Sequence, residues 1–209
     1  MLIANDKIIV LIGYPDSTFT QEANHFISAE RPGNVQIFTP EKFLSIDNRH
    51  SYQYIVAFSL DTNLRARVID VVDQENLDCI RYIHDTVVYY NSDIESWFGS
   101  GSFISPYSTI LLNAKIGRHC VIETYCLVAH YSELKDNIIL HSGTMVAGKT
   151  TLGENSIWNF KSTAINGLDI CGNIEVGAAS TVTKSLIQPG HYVGTPARRI
   201  GDRKTLNYV

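Results

Sequence analysis

Long apolar runs are missing from this sequence of 209 residues. No segment approaches the roughly 18–20 continuous apolar residues that a bilayer-spanning helix requires, which argues against membrane insertion. The apolar stretch Ile8–Ile12 is too short for a signal-peptide core and follows Asp6 rather than a basic region, so it reads as a buried strand. Cysteine is scarce as well. Cys79, Cys120, Cys126 and Cys171 contain no C-x-x-C pairing, which excludes a dense disulfide framework. Reduced thiols in a cytoplasmic protein are the expectation, with a zinc site as the alternative. A basic excess is also lacking: 17 Lys and Arg stand against 21 Asp and Glu, a net charge of −4. A nucleic-acid partner is therefore not expected, since phosphate backbones call for a basic face. A local basic cluster can still hold a small anion.

The remaining composition, 44% apolar and 18% charged, is that of an ordinary globular protein. Residues 1–82 read as a small α/β domain. Ile8-Ile9-Val10-Leu11-Ile12 is a continuous β-prone run ending at Gly13, as expected for a strand covered on both faces. Ser17 or Thr18 starts a helix through Ala29 with Phe19, Ala23, Phe26 and Ile27 on one side. Strands are expected at Val35–Phe38, Tyr52–Phe58 and Cys79–Ile83, with a helix from Asp61 or Thr62 facing Leu64, Val68, Ile69 and Val72 inward. This alternation predicts a parallel sheet, whose ligands would sit beyond the carboxyl ends of its strands, at Gly13–Ser17 and Ser59–Asp61.

From Phe98 the pattern changes. Every sixth residue is apolar: Phe98, Ile104, Ile110, Ile116, Ile122, Val128, Leu134, Leu140, Val146, Leu152, Trp158, Ala164, Ile170, Val176 and Val182. At 44% apolar composition, chance would give this run about once in a few hundred thousand trials. Neither a helix of period 3.6 nor a strand of period 2 produces it. The fourth residue after each of these anchors is usually small, and Gly117, Gly153 and Gly177 follow anchors directly, where they are expected to turn tight corners. Hexapeptide periodicity is the mark of a parallel β-helix, three hexads to a coil, so residues 18 apart should stack in columns. Such an array needs covered ends. The first domain is expected at one end of residues 83–188. At the other, a tail of residues 189–209 carries Pro189, Gly190, Gly194 and Pro196.

A hexapeptide solenoid after a small α/β domain resembles the sugar O-/N-acyltransferases typified by sialic-acid O-acetyltransferases and bacillosamine-type UDP-4-amino-sugar N-acetyltransferases. Ile83-His84-Asp85-Thr86-Val87-Val88 is similar to the family's opening I-H-P-x-A-x. Val128-Ala129-His130-Tyr131-Ser132 is similar to its histidine segment, and Val193-Gly194-Thr195-Pro196-Ala197-Arg198 to its closing G-x-P-A followed by Lys or Arg. The resemblance implies a left-handed helix, a homotrimer, and acetyl-CoA held between neighbouring helices. It implies acetylation of an amino sugar in bacterial surface-glycan synthesis.

Acetyl transfer needs a base to free the nucleophile of its proton, and histidine is suited to this near neutral pH. The resemblance assigns that role to His130. The column rule places Gly148 one coil above it, where a glycine would leave room for the thioester. By the same resemblance Gly148, Phe160 and Ala178 contact acetyl-CoA, and no metal is expected. A surface position on the trimer is the other reading of Phe160. Arg198, Arg199, Arg203 and Lys204 offer charges for phosphates, or a solvated basic tail. His119 and His141 read as ordinary corner residues.

Two departures stand out. The family's acidic neighbour of the histidine is replaced by Ala129 and Tyr131, with Glu123 and Glu133 nearby in sequence. The glycine-rich first turn, G-x-x-G-H-A in relatives, is Gly13-Tyr14-Pro15-Asp16-Ser17-Thr18 here, and Ser59 stands where glycine is common. Gly13, Tyr14, Asp16 and Ser59 are thus the acceptor-site candidates. A nucleotide-linked 4-amino sugar is the first acceptor; a free or lipid-linked sugar, or another small amine or alcohol, is the second. Two further readings are a silent trimeric scaffold and a β-helical carbonic anhydrase. The latter lacks its close histidine pair, since His130 and His141 stand eleven apart.

Overall fold

The structure, a computed structural model, describes residues 2–3, 6–58, 62–91 and 93–203. The chain divides into two compact units that meet at Tyr82 and Ile83 in the sequence.

In the first unit, β1 (Leu2–Ile3) is followed by β2 (Ile8–Ile12), α1 (Thr18–Glu30), β3 (Val35–Phe38), α2 (Pro40–Ser45), β4 (Tyr52–Val56), α3 (Thr62–Gln74) and β5 (Arg81–Ile83). The central β2 pairs in parallel with β3 and β4. Its residues Ile9 to Ile12 are fully buried, which explains the unbroken apolar run. Cys79 makes a single parallel bridge to Tyr54, and β5 then pairs antiparallel with β1, so the expected fourth parallel strand is only one bridge long. The helix α2 was not expected. Thr39 caps it by accepting a hydrogen bond from the Lys42 amide, and Pro40 occupies its first turn.

The second unit is a left-handed parallel β-helix. All fifteen anchors are buried, none more than 4% exposed. They stack as the period requires. Ile104, Ile122, Leu140, Trp158 and Val176 form the first face. Ile110, Val128, Val146, Ala164 and Val182 form the second. Phe98, Ile116, Leu134, Leu152 and Ile170 form the third. Near the start, α4 (Ile94–Trp97) leads into Phe98, and the Tyr89, Trp97 and Phe98 rings pack in sequence. At the far end, Gly190–Val193 extends the first face beside Val176 and turns back through Arg198–Gly201, while Leu186 bridges to Ile170. The tail thus closes the solenoid by adding strands to it.

The corners differ from expectation. From Gly101 to Ala179, every sixth residue is left-handed, with φ between 55° and 76°. That position lies three places after each anchor, not directly after it, and is occupied mostly by Asn, Tyr, Lys or His. Gly117, Gly153 and Gly177 do not turn the corners. Their role is close approach: a Cβ on Gly153 would come within 2.3 Å of the Gly172 amide nitrogen.

The small residues four places after each anchor do more than fit. Ser108 donates to the Glu123 carbonyl at 2.8 Å and accepts from the Cys126 amide at 3.1 Å. Ser132 and Thr150 repeat the arrangement with Ala147 and Thr150, and with Ile165 and Leu168. Each buried hydroxyl therefore satisfies two backbone groups of the next coil.

Candidate active site

His130 lies two places after Val128, on the corner between the second and third faces. Its side chain is exposed, with the Tyr131 ring 5.9 Å away. Gly148 lies one coil further along the same column and is buried. A Cβ at Gly148 would stand 2.4 Å from Cε1, 2.5 Å from Nδ1 and 3.0 Å from Nε2 of His130. The glycine therefore makes room for the imidazole itself. The backbone beneath is tied by the Lys149 amide, which donates to the His130 carbonyl at 2.9 Å.

Neither nearby carboxylate orients this ring. Glu133 pairs with Lys135 at 2.7 Å. Glu123 belongs to a different histidine. Its Oε1 lies 2.7 Å from Nδ1 of His141, and its Oε2 accepts from the Ser142 amide at 3.0 Å and the Ser142 hydroxyl at 3.1 Å. The Thr124 hydroxyl donates in turn to Ser142 at 3.1 Å. With every carboxylate oxygen engaged, Glu123 sets both the plane and the Nδ1–H tautomer of His141. The His141 ring stacks on Phe160, centroids 5.0 Å apart and 24° between planes. His141 is thus no ordinary corner residue. The signal was in the spacing: 123 and 141 differ by one 18-residue coil, so their side chains stack.

Phe160 is 52% exposed and shares a column with Ala178, also exposed, on the corner between the first and second faces. The Ala179 amide donates to the Phe160 carbonyl at 2.8 Å. Within one chain, then, the predicted site residues split into two sets. His130 with Gly148 borders one edge of the second face, and Phe160 with Ala178 borders the other. Of the candidate tail cations, Arg199 donates to the Pro189 carbonyl and pairs with Asp202. Arg203 donates to the Asn155 carbonyl, and burial lowers its pKa from the ordinary guanidinium value. Both are occupied in closing the solenoid. Lys204 lies outside the described residues.

In the first unit, Gly13 ends β2 where a Cβ would be 2.4 Å from the Thr20 hydroxyl and 2.7 Å from the Ala57 carbonyl oxygen. The loop after it is a poor phosphate cradle. The Gly13 amide donates to Phe38, the Ser17 amide donates to Tyr14, and Pro15 has no amide proton. Asp16 is exposed, and the Tyr14 hydroxyl donates to Glu41 at 3.1 Å. Hydrogen bonds, first from its own backbone amide and then from Thr39 and Tyr14, hold the Glu41 carboxyl below its ordinary pKa. Ser59 lies outside the described residues. Arg65 was not anticipated. It is fully buried and donates to the Val56 and Phe58 carbonyls at 2.8 and 2.6 Å, closing the carboxyl end of β4. Its place on the inward stripe of α3, three before Val68 and four before Ile69, was the available signal.

Among the described residues no group of three or more His, Cys, Asp or Glu side chains could hold a metal ion. No described helix is long and apolar enough to cross a membrane.

No family model matches the chain. A GDP-perosamine N-acetyltransferase from Escherichia coli is 25% identical to it over 130 residues, 62% of this chain and 57% of that protein. The chain therefore spans a little over half the length of that curated relative. Among solved structures, the acetyltransferase domain of PglB from Neisseria gonorrhoeae superposes with a TM-score of 0.81 at 14% identity, covering 92% of this chain and 98% of that one. PerB from Caulobacter crescentus, in complex with CoA and GDP-perosamine, gives 0.74 at 20% identity, covering 94% and 99%. WeeI from Acinetobacter baumannii gives 0.63 at 19% identity, covering 92% and 99%. These likenesses establish the fold, a small parallel α/β unit followed by a left-handed parallel β-helix.

Proposed function

We propose that this chain transfers an acetyl group from acetyl-CoA to the amine of a nucleotide-linked amino sugar, with His130 as the general base. The observation that carries the reading is His130 itself, an exposed imidazole at a rigid corner whose seat exists only because residue 148 is glycine. A base held on a solenoid corner keeps its position without a mobile loop. In the reaction the amine nitrogen attacks the thioester carbonyl carbon. The C–S bond breaks and CoA leaves as its thiol, while the imidazole takes the amine proton and passes it on. The similarity to a GDP-perosamine N-acetyltransferase supports the class of acceptor. A homotrimer belongs to the same reading. One chain holds His130 and the Phe160–Ala178 column at opposite edges of one face, and a neighbouring copy would bring the two kinds of edge together around the donor. The buried free thiol of Cys126 and the half-buried ones of Cys79 and Cys171 suit a reducing cytoplasm.

A second acceptor class is favoured by one observation, the loop at Gly13. With two amides engaged, a proline, and Asp16 exposed, it suits a free amine or hydroxyl better than a pyrophosphate. Release of CoA thiol should be followed with GDP-, UDP- and dTDP-linked amino sugars and with the free sugars. Turnover is expected with a nucleotide sugar, and His130→Ala should lower kcat by about 10²- to 10⁴-fold. Turnover with free sugars alone moves the acceptor to the second class. A fully active His130→Ala removes His130 from the mechanism.

A further inference from the structure

We infer that Glu123 and His141 are positioning residues for the acyl donor, acting through Phe160. The inference rests on the proposed use of acetyl-CoA but concerns residues that reading does not employ. A buried imidazole bonded to a half-buried carboxylate is an expensive arrangement to leave without purpose, since both groups lose hydration. Here the carboxylate accepts from three donors, and the hydrogen bonds converge on it. Thr124 donates to Ser142, Ser142 donates to Glu123, and His141 donates its Nδ1 proton to Glu123. The chain ends at Nε2 of His141, which has no hydrogen-bond partner among the described residues and is not a buried atom.

The same ring stacks nearly parallel on Phe160. Phe160 is 52% exposed, so a side chain that would otherwise sample several rotamers is held at the surface from below. The arrangement is a layered one: carboxylate, imidazole, phenyl ring, solvent. A flexible, partly apolar ligand bearing secondary amides matches it. The alkyl segments of a pantetheine arm can lie on the phenyl ring while an amide N–H donates to the outward Nε2. All of these groups sit on a single corner of the solenoid, one or two residues past the short strands Val121–Ile122, Ile139–Leu140 and Ile157–Trp158, and a positioning device works best when ordered elements hold it in place.

The probe is CoA itself, with affinity measured by calorimetry and KM for acetyl-CoA measured alongside. His141→Leu and Glu123→Gln are each expected to weaken CoA binding and raise KM roughly five- to tenfold, the scale of one or two lost hydrogen bonds with the attendant packing. In a Phe160→Leu background the same substitutions should add less than about twofold, because the group they position is gone. Phe160→Tyr, which keeps the stack, should restore binding to near the wild-type value. If His141→Leu does not fold, Glu123→Gln reads the same contact with almost unchanged volume. Folded variants that bind CoA as wild type does, effects that add fully to Phe160→Leu, or a fall in kcat at unchanged affinity would each overturn the inference. Wild type that binds no CoA would overturn both this and the proposed function. Normal CoA binding with a fully active His130→Ala would remove only the base assignment.

Discussion

Gly148 sits where a single methyl group would overlap three atoms of the His130 ring. Gly148→Ala is therefore expected to tilt the imidazole out of its seat. Turnover should drop by about 10²-fold, as for displacements of about 1 Å, while the melting temperature moves little. Steady-state kinetics beside a thermal melt separate these effects. Glu123 shows how a residue can be near another in sequence and still belong elsewhere. It lies seven residues before His130 along the chain, yet one coil of 18 residues carries it to His141 instead. Linear distance means little on a solenoid; distance modulo the coil decides contact. Arg65 teaches the same lesson on a helix, where its position three before Val68 turned it into the core.

At the scale of the element, each coil contributes three anchors and a set of corner hydroxyls, and the coils are not interchangeable. The coil that contains Trp158, fully buried, has Ala164 as its next anchor. The largest anchor is thus paired with the smallest, which keeps the interior area of that coil close to its neighbours'. Trp158→Ala should cost about 3–5 kcal/mol, since no side chain can collapse into the space. Trp158→Leu combined with Ala164→Leu should recover part of that loss in a denaturant titration. Ser132→Ala should cost about 1–3 kcal/mol, because it leaves the Thr150 amide and the Ala147 carbonyl short of a partner inside the stack. The hexad positions and their 18-residue stacking were legible in the sequence because burial repeats with the geometry of the coil. The hydroxyl ladder was seen only as a preference for small residues, since size and hydrogen bonding select the same Ser and Thr. The left-handed corners were legible only in part. Asn tolerates that backbone conformation, but Tyr107, Tyr125 and Tyr131 do not advertise it.

For the molecule as a whole, Cys126 offers a measurement of how tightly the solenoid excludes water. Burial raises its thiol pKa from an ordinary 9.0 to about 12, with the Glu123 charge adding in the same direction. The folded state therefore holds this proton more tightly than the unfolded state does. Its contribution to stability is complete below pH 9 and is lost as pH rises from 9 toward 12. Denaturant titrations across that range should show an alkaline decline that is shallower in Cys126→Ala. Iodoacetamide at pH 8 should leave Cys126 unmodified in the native protein and label it after unfolding.

The sequence by itself determined the solenoid, its columns and the alternation of strand and helix in the first unit. These follow from periodic burial, which a linear string records directly. It also marked His130 and Gly148 as a stacked pair, through spacing alone. Only the tertiary structure decided which way the glycine's space is used, which histidine receives the carboxylate, and that Phe160 rests on that histidine. Those outcomes depend on where side chains point across adjacent coils. Rotamers and hydrogen-bond partners are chosen there by packing against groups a full turn of the solenoid away, and no local pattern carries that choice.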